Sequence, residues 1–414
     1  VDIASNAQDF LQGNNYVNLE FAGNTPPYKE DPVTANIPVS ERLVSASHHL
    51  ACVRESNARC YGTGYGFTEP TANIIWALNR TLGADCHFST LKRRLGLPNA
   101  ILKTLPEEED VIKTAFTFEK EHYDLFDGEQ VGQVAVYFSN ETQKHTFFGC
   151  VYDGYSKDYA GTLKALFLAG ISPHTIFEFP ATAEKYPVVL VPSPLSMTPE
   201  EIEAARAYAR NGGKLVITGP SGFPGCRHNY QYANKPGVEP EKFFNSIRDG
   251  VWTQPSQWKL AKLPEFENAD KWVEVENGIF YHPFRTSSRK LNDAILDYCR
   301  TYGKQMPVTV TDGGGYCITV FESEKGITLH FIATNYHTDI DHHLDEIRYH
   351  RSRVNYINVV EPLGVERTLK LSAAGVPQVY TPSNPEGATV TKTEDGCVVS
   401  LPEKCAYLLV RYEK

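Results

Sequence analysis

Three times between residue 15 and residue 127, a short apolar run passes through a turn-rich stretch into a run with helical periodicity. This alternation constrains the chain more than any other feature. Strands that recur with a helix between them pair in parallel through crossovers, so the sheet is either doubly wound or part of a barrel. In the first unit, Tyr16–Ala22 leads through Pro26, Pro27 and Pro38 to a helix capped by Ser40, with Leu43, Val44, Ser47 and Leu50 along it. In the second, Arg59–Phe67 runs into a helix over 71–82 whose apolar stripe is Ile74, Ile75, Leu78 and Leu82, stopped by Gly83. In the third, Ala84–Phe88 precedes a helix after Pro106, whose first turn carries Glu107, Glu108, Glu109 and Asp110, the charge sign that suits a helix N-terminus.

Gly128 marks a boundary. Beyond it the runs 131–139, 186–192 and 214–219 read as buried strands, with helices around 159–170 and after Thr198. The second of these helices has a threonine cap, Pro199 at its first position, acidic Glu200 and Glu201, and a stop at Asn211, Gly212 and Gly213. Residues 226–314 are poorly periodic apart from a helix over 289–302. From 315 onward short strands alternate with Gly, Pro, Asn and Asp, the pattern of an antiparallel sandwich. At about 150 residues per domain, 414 residues suggest two or three domains. The expected organisation is a partial (β/α) barrel over 1–127, an α/β domain over 128–225, a mixed connecting region over 226–314 and a β-sandwich over 315–414.

Composition narrows the partners. Forty basic against 50 acidic side chains give a net charge of −10, which argues against nucleic acid and acidic membranes. No apolar run approaches the length of a membrane span, and no signal peptide opens the chain. Nine cysteines without a CxxC pair read as thiols in a reducing compartment, so a soluble cytoplasmic protein is expected, with secretion still open. The chain begins at Val1 inside a patterned stretch, and an upstream segment is therefore expected.

The chemistry-bearing candidates lie in the strand–helix units. Glycines at 62, 64 and 66 precede Glu69 and Pro70, so a carboxylate sits where a strand gives way to a loop. That is the barrel edge on which catalysis is built. Glu69 equally suits a helix-capping role. Glu20 ends the preceding strand in the same way, and two carboxylates facing one pocket are what glycoside hydrolysis requires. Tyr65, Trp76 and His87 are the candidates for substrate contact, with rings able to stack on a sugar or hydrogen-bond to it. A His/Asp cluster (His337, Asp339, Asp341, His342, His343, Asp345, with His350 nearby) has ligand types suited to a metal, but a solvated loop explains it better. No metal or other cofactor is assigned.

The order of these pieces resembles the C-terminal part of glycoside hydrolase family 42, in which a catalytic barrel is followed by an amidotransferase-like trimerisation domain and a small β-sandwich. The resemblance is carried by Ala77–Asp85, by Val189–Gly222, and by the segments 355–358 and 407–412. It implies barrel strands six, seven and eight for the first three units, a nucleophile at Glu69 on strand seven, and a retaining β-galactosidase-like activity on a carbohydrate substrate. It also implies a trimer. Strands one to four, which carry the acid/base carboxylate in that family, have no counterpart here and would come from a missing N-terminal half or a partner chain. Two other readings stay open: a non-catalytic carbohydrate-binding or assembly protein, and an amidotransferase-like hydrolase using Ser193, which stands where that fold places its cysteine nucleophile.

Overall fold

A computed structural model describes residues 16–20, 39–55, 58–64, 69–88, 106–146, 154–219, 221–224, 226, 273–282, 289–333, 336–341, 348–349, 352–353, 356–362, 367–372, 375–382, 387–402 and 405–414. The fold is mixed α/β with several sheets. Three parallel strands come first: β1 (Tyr16–Glu20), β2 (Arg59–Gly64) and β3 (Asp85–Phe88), adjacent in chain order. Helices α1 (Val39–Glu55) and α2 (Glu69–Thr81) make the crossovers, and α3 (Pro106–Glu121) follows β3. No closed barrel forms among the described residues.

A short strand, β4 (Glu129–Gln130), then leads into a second parallel sheet. Its members are β5 (Val134–Tyr137), β6 (Pro173–Ile176), β7 (Val188–Pro192) and β8 (Lys214–Thr218), with helices α4 (Asn140–Thr146), α5 (Gly154–Leu168) and α6 (Pro199–Arg210) between them. β5, β7 and four residues of β8 are buried on both faces, as continuous apolar runs require in a sheet covered by helices. The start of α6 is the capping box expected from sequence: Glu201 N donates to Thr198 Oγ1 at 3.1 Å, and Thr198 N donates to Glu201 Oε2 at 2.7 Å.

The sheet extends beyond the expected limit at residue 225. β9 (Val273–Glu276) and β10 (Ile279–His282) complete the order β6-β5-β7-β8-β10-β9, with β10 parallel to β8, and α7 (Arg289–Tyr302) packs on α5. Ile279 and Tyr281 belong to the same core as Leu215 and Ile217, so this part of the assigned connecting region is integral to the α/β unit.

The remainder is antiparallel. β11 (Thr309–Asp312), β12 (Tyr316–Ser323), β13 (Gly326–Ala333), β14 (Tyr336–Asp341), β15 (Arg348–Tyr349), β16 (Ser352–Arg353), β17 (Tyr356–Pro362), β18 (Arg367–Ser372), β19 (Gln378–Tyr380), β20 (Thr389–Thr393), β21 (Gly396–Leu401) and β22 (Tyr407–Glu413) follow in order. Two larger sheets, β11-β18-β21-β20 and β19-β22-β13-β12-β4, face each other across one core that includes Leu329, Phe331, Leu369, Val399 and Val410. The side chains of the expected metal-binding cluster at 337–350 lie outside the described residues. No described helix is long and apolar enough to cross a membrane.

Two histidines are buried in this fabric. His48 of α1 lies against Tyr159 of α5, Nδ1 to Oη 3.1 Å, and His330 of β13 lies against Tyr407 of β22, Nδ1 to Oη 2.7 Å. Burial first, then the charge of His49 or Arg80 respectively, pushes each imidazole down to about 3. A histidine in the unfolded chain titrates near 6.5, so below that pH the unfolded state binds protons that the folded state refuses. Stability is therefore complete above about pH 6.5 and is lost as pH falls toward 3, by about 1.4 kcal/mol per unit for each histidine. Replacing His48→Phe should reduce the slope of unfolding free energy against pH by about that amount between pH ~6 and ~4. Urea titrations at several pH values measure it, and an unchanged slope would contradict the burial argument.

Candidate functional site

The parallel register of the first sheet determines what its edge can present. Glu20 pairs with Thr63, and Thr63 with His87, so one row of positions crosses all three strands at their C-terminal ends. The neighbouring row is Leu19, Gly62 and Cys86, and Cys86 Sγ accepts from Asn79 Nδ2 of α2 at 3.5 Å. Side chains alternate along a strand, so the row at 20, 63 and 87 belongs to the sheet face turned away from α2. His87 is exposed and Thr63 is buried. From Gly64 the chain passes through residues 65–68 to Glu69, which opens α2. Two carboxylate positions, 20 and 69, and one imidazole therefore belong to the same edge. The side chains of Glu20, Tyr65 and Glu69 lie outside the described residues.

Thr63 was not singled out from sequence. Its place follows from the pairing of β1 with β2 and of β2 with β3, and one chain read alone carries no register. Trp76 is a correction. Its side chain is fully buried, it meets Phe118, Phe126 and Tyr407 edge-on at ring separations of 6.2, 5.7 and 5.4 Å, and Nε1 donates to Glu119 Oε2 at 2.7 Å. Both faces and the one polar atom are committed to protein, which leaves nothing for a sugar to stack on.

A second C-terminal edge lies in the α/β sheet, whose strand order reverses direction beside β5. With β6 on one side and β7 on the other, the C-terminal ends of β5 and β7 flank the topological switch point, where open α/β sheets hold their ligands. Ser193 follows β7 there with φ +45°, the sole non-glycine residue with positive φ among the described residues. Its N–H donates to Thr218 O at 2.8 Å, and its Oγ donates to Asp158 Oδ2 at 2.5 Å. Ser193 and Asp158 are both fully buried. The hydroxyl proton is directed at a carboxylate and is closed off from solvent, so the pair fastens the turn in a strained conformation and does not present a nucleophile to a cleft. The adjoining hydroxyls close on one another: Ser139 Oγ donates to Thr142 Oγ1 at 2.9 Å, which donates to Ser196 O at 2.9 Å. Burial also drives the neighbouring Tyr155 phenol well above its usual range.

The tightness of this turn has a measurable consequence. A Cβ on Gly219, whose φ is +67°, would stand 2.3 Å from Ser193 Oγ, whereas one on Gly212, at φ +90°, meets nothing within 4 Å. Gly212→Ala should cost only the left-handed backbone penalty, about 1–2 kcal/mol. Gly219→Ala adds a clash that breaks the Ser193–Asp158 bond and should cost about 1–3 kcal/mol more. Chemical denaturation of the two variants tests the difference, and equal losses would show that the turn relaxes freely.

Compared with known proteins, the chain matches no family model, and no curated protein sequence is similar to it. Solved structures do share the fold. A catalytic mutant of Gan42B, a GH42 β-galactosidase from G. stearothermophilus, aligns with TM-score 0.58 at 8% identity, over 98% of this chain and 61% of that one. The β-galactosidase from Rahnella sp. R3 aligns with TM-score 0.55 at 9% identity, over 97% and 60%. α-L-Fucosidase isoenzyme 2 from Paenibacillus thiaminolyticus aligns with TM-score 0.54 at 14% identity, over 89% and 63%. The chain thus spans about three fifths of the length of these structures. At such identities the likeness is one of fold, shared with the aligned part of these glycosidase structures.

Proposed function

We propose that this chain is the C-terminal chain of a retaining, β-galactosidase-like glycoside hydrolase. On this reading β1, β2 and β3 are strands six, seven and eight of a (β/α) barrel, the α/β unit is its amidotransferase-like domain, and the paired antiparallel sheets are its closing sandwich. The observation that supports it most is the convergence of positions 20, 63 and 87 with the start of α2 on one C-terminal sheet edge. Glu69 attacks the anomeric carbon and forms a glycosyl ester. An acid/base carboxylate from a segment outside this chain protonates the departing oxygen, then deprotonates the water that releases the sugar. Glu20 adds a second carboxylate beside the reacting centre. Tyr65 and His87 hold sugar hydroxyls by stacking and hydrogen bonding. Trp76 has a packing role in this scheme. The same reading carries a homotrimer built through the α/β unit.

The test uses the protein as it occurs in its source. A panel of aryl glycosides should include one with a strongly acidic phenol as leaving group, because that departure needs no proton donor. Glu69→Gln should lower kcat on the preferred glycoside by on the order of 1000-fold, about 4 kcal/mol in barrier. A fluorinated galactoside should label the peptide that contains Glu69. Unchanged hydrolysis in the variant, or a label on another peptide, would overturn the assignment. Binding of galactosides with no turnover by the whole protein would favour the carbohydrate-binding alternative.

A further inference from the structure

A cleft of about 800 Å³ lies where the connector around β4, the α/β sheet and the β12–β13 hairpin meet, and no residue of β1, β2 or β3 lines it. Its volume is within the range of about 300–1,000 Å³ common to small-molecule sites, which favour junctions of this kind. One wall is basic. Lys185, before β7, and Lys304, after α7, line it together with His174 of β6. Gln130 belongs to the same lining, and its Oε1 accepts from Nη1 of Arg54, in the last turn of α1, at 2.9 Å. His174 registers the sign of the local field: burial holds its imidazole well below the usual range, and the charges of Arg54, Lys185 and Lys304 push it the same way.

The charges of three cations from distant parts of the chain thus act on one ring, and none of the three has an ion pair among the described residues. The Gln130 amide points to the same need. With Oε1 taken by Arg54, its Nε2 is a buried donor with no partner. An oxyanion would supply what both observations lack, an acceptor and a counter-charge. The rest of the lining differs. Asp124, Asp127 and Glu129 of the connector and Glu322 and Glu324 of the hairpin contribute carboxylates, with Lys325 beside them, and Glu322 is neutralised by Lys414 at 3.0 Å. Carboxylates repel a bare anion and accept hydrogen bonds from hydroxyls.

From this division we propose that the cleft binds an anionic sugar. A phosphate or carboxylate lies against Lys185, Lys304 and Gln130 Nε2, with Arg54 behind Gln130, and the ring hydroxyls donate to the carboxylates of the connector and hairpin. This site is independent of the reading at Glu69, and the two fail separately: Glu69→Gln leaves binding here unchanged.

Calorimetric titration of the whole protein at fixed ionic strength, with a hexose phosphate, a hexuronate, the neutral hexose and inorganic phosphate, tests the proposal. One of the two anionic sugars should bind at least about tenfold more tightly than both the neutral hexose and inorganic phosphate; which one does so decides between phosphate and carboxylate. Lys185→Gln with Lys304→Gln should bring that affinity to the level of the neutral hexose. Both lysines are exposed, so an unchanged unfolding midpoint verifies the fold of the variant. Lys392→Gln, an exposed change on β20, should have no effect. Equal affinity for neutral and charged sugars, an unaffected double variant, or an equal loss in Lys392→Gln would each overturn the proposal.

Discussion

Helix α2 is enclosed on every side, and the arrangement of the sheets depends on that enclosure. Every residue from Asn73 to Asn79 is buried, a run that a surface helix with one apolar stripe does not show. One side lies on β2 and β3, another on α3, and a third on β13 and β17. Trp76 fills the space between α3 and β22, and truncation of a side chain so placed costs about 3–5 kcal/mol. Arg80 at the other end grips Glu119 of α3 in a fork, Nη2 to Oε1 2.6 Å and Nε to Oε2 3.0 Å, while the same carboxylate takes the Trp76 N–H. Glu119 thus holds two donors from α2 at once. Thr319 Oγ1 donates to the carbonyl of Thr81 at 2.5 Å and ties the end of the helix to β12.

One consequence is that the structural units are not independent. The largest core cluster runs from Leu43 and Trp76 in the first unit, through Tyr159 and Phe167 of α5, to Ile332, Tyr407 and Leu409 on the outer face of the antiparallel sheet. Another is that β4, from the connector, pairs with β12 through Gln130 and Glu129 and joins that sheet. Shared packing and strand pairing thus cross the division at residue 127 that the sequence suggests. The buried His48–Tyr159–Thr175 chain, with Oη to Oγ1 at 2.5 Å, lies along the same seam between α1 and the α/β unit. Acid sensitivity of His48 is consequently a property of how two units dock.

What the sequence made legible was local. The capping box of α6, the apolar strands β5, β7 and β8, and helix α7 were readable because each declares itself within a dozen residues. The sequence allows Glu69 to be either a carboxylate at a strand end or a helix cap, and the structure puts it at the first residue of α2. What could not be read was a second layer. The stripe of Ile74, Ile75, Leu78 and Leu82 predicts one buried side of α2, and nothing in the chain announces that Trp76, Ala77 and Asn79 meet further partners. For the same reason Trp76 looks from sequence like a platform for a sugar ring, although both its faces are packed. β9 and β10 were missed because they join their sheet from some 50 residues beyond β8, where local pattern carries no memory of the strand they pair with.

The two C-terminal sheet edges finally differ in what they leave available for chemistry. At the switch point of the α/β sheet, the buried hydroxyls of Ser139, Thr142 and Ser193 donate to Thr142 Oγ1, Ser196 O and Asp158 in turn, in a space closed to solvent. A ligand entering there would have to break bonds already made, each worth about 1 kcal/mol net and more where a buried group is left unpaired. The edge of the first sheet is different. His87 is exposed, and the helix that follows β2 along the chain, α2, starts at Glu69 and is buried from Asn73 to Asn79. A reacting group needs a rigid support and a free face, and the first edge combines α2 as support with an exposed position, His87, in register. The proposed chemistry is therefore assigned to that edge, and the buried Ser193–Asp158 pair is read as packing of the α/β unit.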